Sequence, residues 1–220
     1  VLPMIVRRAF LALGLVLGLA ACGAEPVWAP DEAVARARYV PPENTSITLY
    51  TMISNRSGAG GHLALMIDGE QRLLFDPAGT WRHPAAPERN DVIFGMSPQL
   101  LDFYLDYHAR ETYHVVVQEL DVSPEVAAQL SRLVQEYGAV PKAQCTISIT
   151  RILQQVPGFE TMRTTYFPRN AMDAFEQIPG VRTSRIYDDD SDNNREILAR
   201  QAAMELRIER AAQIAAAGGS

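Results

Sequence analysis

Two apolar segments joined by a tight turn constrain the fold of this chain more than any other feature of its sequence. Residues 62–68 read HLALMID and residues 71–76 read QRLLFD, with Gly69-Glu70 between them. A two-residue turn of this kind predicts a β-hairpin. Residues of equal parity on a hairpin point to the same face when no bulge intervenes. His62 and Asp76, fourteen positions apart (76 − 62), are therefore expected side by side.

A histidine beside an aspartate is a candidate for proton transfer, because the carboxylate fixes the imidazole tautomer and orients the ring. His62 follows the small residues SGAGG, which let other groups approach closely. Taken alone, Asp76 before Pro77 would be interpreted as a turn residue. The other histidines carry weaker signals. His83 and His108 are expected at the surface, and His114 in a strand of the core.

The remaining segments predict strands followed by helices. Residues 46–54 and 112–120 have the apolar and β-branched content of strands. Ser97 and Ser123 are expected to cap two helices, and Cys145 begins an apolar helix that ends before Pro157. Because strands and helices do not alternate strictly and no repeat is present, the expected fold class is α+β.

The N-terminus has the pattern of an export signal. Residues 4–22, MIVRRAFLALGLVLGLAAC, contain two arginines, an apolar run and small residues, and the run is too short to span a membrane. LAAC resembles the lipobox of bacterial lipoproteins, in which the cysteine, here Cys22, is lipidated and becomes the mature N-terminus. The alternative is an uncleaved anchor or an ordinary signal with a chance cysteine. The expected division is signal 1–21, tether 22–45 with a short helix at 31–38, domain 46–187, and an acidic loop with a C-terminal helix at 188–220.

With Cys22 lipidated, Cys145 is left as a lone thiol in an exported protein. An odd cysteine in such a protein suggests a reactive thiol or an intermolecular bridge. The alternative is a buried packing residue, since free cysteine is often buried as a small hydrophobe.

Net charge and sequence motifs argue against several kinds of partner and ligand. The net charge of −6 argues against nucleic acid, and SGAGGH lacks the Gly-Lys-Ser/Thr of a phosphate loop. Residues 188–194, DDDSDNN, begin like a calcium loop, but the required glycine is Asn193 and the terminal glutamate falls on Ala199. We therefore expect a solvated acidic loop, with no metal and no cofactor.

Two segments together resemble the NlpC/P60 superfamily of papain-like cysteine hydrolases. GGHLALMIDGEQRLLFDPAG (60–79) is similar to the histidine strand and hairpin, and VSPEVAAQLSRLVQEYGAVPKAQCTISITRIL (122–153) to the helix–loop–cysteine-helix segment. Because the histidine precedes the cysteine, the order resembles the circularly permuted branch, which includes lecithin retinol acyltransferase-like enzymes and several bacterial lipoproteins. The resemblance covers about residues 46–180.

The resemblance implies a permuted papain-like core, an antiparallel sheet packed on helices that include the cysteine helix. Cys145 matches the nucleophile, His62 the base and Asp76 the third, polar residue. Two positions depart from the pattern, since Gln144 stands where asparagine is frequent and Asp76 where His, Glu or Asn is commoner.

The implied function is a cysteine-dependent amide or ester hydrolase, or an acyltransferase, acting through a thioester on Cys145. Its substrate would be cell-wall peptide, a lipid acyl chain or protein. Gly23 after the lipidated cysteine favours, by resemblance to Gram-negative lipoproteins, an outer-membrane location facing the periplasm. The competing expectation is a non-catalytic envelope lipoprotein that uses the same fold for binding or a structural role.

Overall fold

The computed structural model describes residues 23–42 and 44–218. Within them the chain forms a mixed α+β fold with one seven-stranded sheet and six helices, which confirms the expected fold class. Every strand pairing is antiparallel. The strands are β1 Ser46–Ser54, β2 Gly60–Asp68, β3 Arg72–Phe75, β4 Glu88–Arg89, β5 Val92–Phe94, β6 Tyr113–Asp121 and β7 Arg182–Ile186. Their order across the sheet is β4-β5-β3-β2-β1-β6-β7.

Helices cover both faces of this sheet. They are α1 Asp31–Ala37, α2 Pro98–His108, α3 Pro124–Tyr137, α4 Cys145–Leu153, α5 Pro168–Glu176 and α6 Asn194–Gly218. The hydroxyls of Ser97 and Ser123 accept hydrogen bonds from the first turns of α2 and α3, so both sequence-predicted caps are confirmed. No helix among the described residues is long and apolar enough to cross a membrane. The predicted signal and Cys22 lie outside the described residues.

Strand β2 contributes to two separate cores because its side chains alternate between the faces of the sheet. Leu63 and Leu65 pack with apolar residues of α3, α4 and α5. Ala64 and Met66 pack on the opposite face with α2 and the start of α6. Helix α4, which begins at Cys145, therefore lies on one face and α2 on the other.

The hairpin register supports the parity argument for His62 and Asp76. Leu65 pairs with Phe75 across β2 and β3, so the residue after Phe75 continues on the face of Ala64. The β1–β2 pairing does contain an irregularity between Met52 and Ile53. It lies before His62 along β2, so it leaves the parity between His62 and Asp76 intact.

The N-terminal segment predicted as a tether is docked on the β4 edge of the sheet. The backbone N–H of Ala29 donates to the Glu88 carbonyl, and that of Asn90 to the Val27 carbonyl, both at 2.9 Å. The expected short helix forms as α1, and the backbone of Gly95 is packed against Ala37 at its end. The docked part thus begins at Val27, only a few residues after Cys22.

The acidic loop is exposed to solvent, as expected, and it is also held by a buried arginine. Arg110, 2% exposed, follows α2 directly. Its guanidinium lies 2.9 Å from Asp106 and 3.1 Å from Asp190, with Asp188 at 3.9 Å. These carboxylates lie within 4.8 Å of one another, and the guanidinium supplies the positive charge among them. The loop is therefore fixed to the end of α2.

Helix α6, which follows the acidic loop, is also attached to α2. The buried amide of Gln201 donates to the Phe103 carbonyl at 2.7 Å and to the Asp106 carboxylate at 2.9 Å. Ile197 is buried in the core beneath α2. The first two turns of α6 are thus part of the domain, whereas Leu206 and Ile214 further along are exposed.

Candidate active site

His62 lies near the start of β2, where two glycines allow close packing. A Cβ on Gly60 would overlap Pro168 and the Arg169 backbone, and one on Gly61 would overlap the Tyr113 ring. The small residues before His62 are therefore required by neighbouring elements. The side chain of His62 is 19% exposed, so one part of the ring remains accessible.

Asp76 binds His62 directly. Its Oδ1 lies 2.6 Å from His62 Nε2, and its side chain is completely buried. The Tyr104 hydroxyl of α2 donates to the same oxygen at 3.1 Å. Burial alone would raise the pKa of Asp76, but the charge and hydrogen bond of His62 outweigh it and hold the pKa below its ordinary value. The carboxylate is therefore ionised, and Nε2–H donates to it.

The loop after β3 is shaped around this carboxylate. The backbone N–H of Gly79 donates to the Asp76 carbonyl at 3.0 Å and closes a tight turn. A Cβ on Gly79 would overlap the Asp76 carboxylate itself. Gly79 is thus needed to leave room for the ionised side chain.

Cys145 is the first residue of α4 and is 8% exposed. Hydrogen bonding and charge couple the pKa of its thiol to the pKa of the His62 ring. Since Nε2 of His62 is occupied by Asp76, Nδ1 is the nitrogen left for the sulfur. The structure thus brings His62, Asp76 and Cys145 together near the start of β2.

The backbone of β2 also contributes to the sulfur's surroundings. Strand β3 pairs with β2 only from Leu65 onwards, so the preceding residues have no strand neighbour on that side. The N-terminus of α4 lies there, and the backbone N–H of Leu63 helps to lower the pKa of the Cys145 thiol. The Thr146 hydroxyl is 3.8 Å from the same atom. These donors favour the thiolate over the thiol.

The pKa shifts of the thiol and the imidazole both favour the charged forms of these groups. Burial raises the pKa of Cys145, but the hydrogen bond and charge of His62 outweigh it, and the net pKa is lowered. Burial lowers the pKa of His62, but the charge of Asp76 and the two hydrogen bonds raise it to about 10. Both shifts favour a Cys145 thiolate facing a His62 imidazolium over the neutral pair.

The first turn of α4 offers donors beside the sulfur. Gln144, the N-cap residue, makes no side-chain hydrogen bond to this turn. The N–H groups of the first turn therefore lack the capping partner that serine provides in α2 and α3. Donors in this position can stabilise negative charge on a carbonyl oxygen attacked by the neighbouring sulfur.

Sequence reasoning missed two members of this cluster, Tyr104 and His108. The His108 ring packs 4.3 Å from that of Tyr104 and faces His62 in a parallel arrangement at 6.1 Å, measured between ring centroids. The available signal was their i, i+4 spacing on α2, which puts both on one face of the helix. That spacing does not tell which face of the sheet α2 covers.

The other two histidines lie away from the cluster, and neither has the burial expected for it. His83 was expected at the surface but is 6% exposed and stacks on Trp81. His114 was expected in the core but is only partly buried, bonded to Asn55 and stacked on Tyr187.

A cavity of about 450 Å³ opens beside His62. Its wall combines the start of β2, the loop after Asp76, the end of α2 and the acidic loop; it includes Met52, Gly61, His62, Thr80, His108 and Asp192. Cys145 is not part of this wall. The cavity therefore meets the candidate site on the histidine side, where a group receiving a proton from the imidazole would lie.

Comparison with known proteins found no relative of this chain. No family model matches it, and neither a curated protein nor a solved structure is significantly similar to it.

Proposed function

We propose that this protein is an envelope lipoprotein that hydrolyses an amide or ester, or transfers its acyl group, through a thioester on Cys145. The observation that carries the proposal is the order Asp76–His62–Cys145, in which a buried carboxylate orients an imidazole against a thiol at a helix N-terminus. The same arrangement supports the proposed kinship with the circularly permuted NlpC/P60 superfamily.

In the acylation step the Cys145 thiolate attacks the substrate carbonyl carbon, and a carbon–sulfur bond forms. The carbonyl oxygen takes up the negative charge, which the first-turn amides of α4 stabilise. The His62 imidazolium then gives its Nδ1 proton to the leaving nitrogen or oxygen as the carbon–heteroatom bond breaks. A thioester and a neutral imidazole remain.

Deacylation returns the site to its starting state. Neutral His62 removes a proton from water, or from an acceptor hydroxyl or amine, and the nucleophile attacks the thioester carbonyl. The thiolate leaves as the carbon–sulfur bond breaks, and His62 is again an imidazolium. Asp76 keeps its negative charge throughout and stabilises the ring in its protonated form.

The proposal is tested by trapping the intermediate. The folded protein is incubated separately with a cell-wall peptide digest, phospholipid vesicles and an unfolded protein, quenched in acid and analysed by mass spectrometry. We expect an acyl adduct on the Cys145 peptide with one of these classes, and none with Cys145→Ala. Product formation that is equal in wild type and Cys145→Ala would contradict the mechanism. An intact site that forms no adduct and no product with any class would instead support a binding lipoprotein.

Lipidation of Cys22 is a separate prediction within this proposal. The LAAC sequence implies a diacylglyceryl group on Cys22, and two or three acyl chains anchor a protein stably, at about 0.8 kcal/mol per buried CH₂. We expect Cys22→Ser to move the protein from the membrane fraction to the soluble fraction, or to block its maturation. Cys145→Ser is the matched control and should leave fractionation unchanged. Identical membrane association and mass in wild type and Cys22→Ser would exclude the anchor.

A further inference from the structure

His108 has a fixed tautomer. Its Nδ1 lies 2.8 Å from the backbone carbonyl oxygen of Tyr104, which can only accept a hydrogen bond. Nδ1 therefore carries the hydrogen. Burial is the main cause that lowers the pKa of His108, to about 4, so the ring is neutral at pH 7. A neutral imidazole protonated on Nδ1 has its free lone pair on Nε2.

This second nitrogen has no hydrogen-bond partner among residues 23–42 and 44–218. Nδ1 faces the backbone of α2, so Nε2 lies on the far edge of the ring. That ring lines the cavity together with His62, and two other polar groups of the wall, Thr80 and Asp192, are already paired. The Thr80 hydroxyl is bonded to that of Tyr107 at 2.9 Å, and Asp192 accepts from Thr112.

A partly buried acceptor beside the catalytic histidine discriminates between substrates. A substrate with an N–H or O–H group can donate a hydrogen bond to this acceptor. A substrate without such a group leaves the acceptor unpaired, and the site therefore binds it less well. The two rings are 6.1 Å apart and nearly parallel, so a group within reach of His62 is also near His108. An amide carries an N–H beside the bond to be broken, and an ester carries none.

We propose that the cavity beside His62 receives the N–H side of an amide substrate and that His108 Nε2 accepts a hydrogen bond from this group. The inference rests on the proposed function and narrows its substrate class from amide or ester to amide. His108 is then a binding residue that selects the substrate, and its neutral form is the one that can accept.

The test compares two alkylating reagents of similar size at pH 7. Iodoacetamide carries two N–H donors and methyl iodoacetate carries none. Their rate ratio on Cys145 is divided by the same ratio on glutathione, which removes their intrinsic difference. If one hydrogen bond contributes about 0.5–1.5 kcal/mol, the normalised ratio of iodoacetamide to methyl iodoacetate should be about 2 to 12 in the wild type. His108→Phe, which keeps an aromatic ring against Tyr104, should bring the ratio to about one.

His108→Gln separates the hydrogen bond from packing, because its side-chain oxygen is again an acceptor and should restore part of the preference. If His108→Phe does not fold, His108→Leu makes the same comparison. Equal normalised ratios in wild type and the apolar variant, with Cys145 reactive to both reagents, would overturn the role of His108 and leave the proposed function standing. Failure of both reagents to label folded wild type would overturn both.

Discussion

We expect His62→Ala to slow the alkylation of Cys145 by iodoacetamide at pH 6 by at least tenfold. An ordinary thiol with a pKa of about 8.5 is only about 0.3% thiolate at this pH. In the wild type, His62 holds the pKa of Cys145 below its ordinary value, whereas burial alone would raise it. Part of the gain is offset because a thiolate of lower pKa is a weaker nucleophile. The measurement is the pH dependence of the labelling rate.

His114→Ala is the matched control for this experiment, because His114 lies in β6, bonded to Asn55 and outside the cluster. Its profile should coincide with that of the wild type. The competing interpretation of Cys145 as a packing residue predicts negligible labelling of the folded protein at every moderate pH and prompt labelling after unfolding. A Cys145 that titrates as an ordinary thiol and does not respond to His62→Ala would remove the catalytic proposal.

The second large effect is expected on the pKa of His62 from Asp76→Asn, which keeps the shape of the side chain and removes its buried charge. The charge of Asp76 is the main cause that raises the pKa of His62 to about 10, against the opposing effect of burial. Without it, the pKa of His62 should fall to or below its ordinary value of 6.5. The imidazole would then be largely neutral at pH 7. Titration of the His62 ring protons by nuclear magnetic resonance measures this directly.

The same pair makes stability depend on pH. A raised histidine pKa contributes stability that is fully present below 6.5 and is lost as the pH rises through about 10. The lowered pKa of Asp76 contributes stability above its ordinary value of 3.8 that is lost in stronger acid. The free energy of unfolding should therefore differ most between wild type and Asp76→Asn from about pH 4 to 6.5, by about 3 kcal/mol.

Tyr104→Phe is the control, because it removes one hydrogen bond to Asp76 and keeps the charge. It should change the pKa of His62 far less than Asp76→Asn does. Urea denaturation as a function of pH gives the comparison. If the stability difference between wild type and Asp76→Asn does not vary between pH 5 and 10, His62 and Asp76 are not an ion pair in solution.

The part of the site that could be predicted from the sequence is local. His62 and Asp76 are joined by one hairpin, and strand alternation alone places them on one face. Cys145 is different, since it follows His62 by 83 positions (145 − 62), and no periodicity predicts their contact. Only the resemblance to a known order of segments suggested it. The contact arises because β3 stops opposite Leu65 and α4 begins beside the part of β2 left free.

The missed features all depend on tertiary contacts. Strands β4 and β5 were not among the predicted strands, because two- and three-residue strands carry no alternation. Strand β7 is an exposed, charged edge that lacks an apolar face. The contact between the acidic loop and Arg110 was not predicted, because the loop sequence does not show that Arg110 lies buried beneath it. In each case the pairing partner, rather than the segment itself, determines the structure.

For a protein anchored at Cys22, the docked N-terminal segment limits the distance between the candidate site and the membrane surface. Only four residues separate Cys22 from Val27, where pairing with the β4 edge begins, so this link extends at most about 17 Å. Strand β2 lies three places from β4, about 14 Å across the sheet. With Cys22 lipidated as proposed, His62 would lie within roughly 30 Å of the lipid surface. Such an enzyme would act on bonds in a thin layer next to its own membrane and would leave more distant ones uncut.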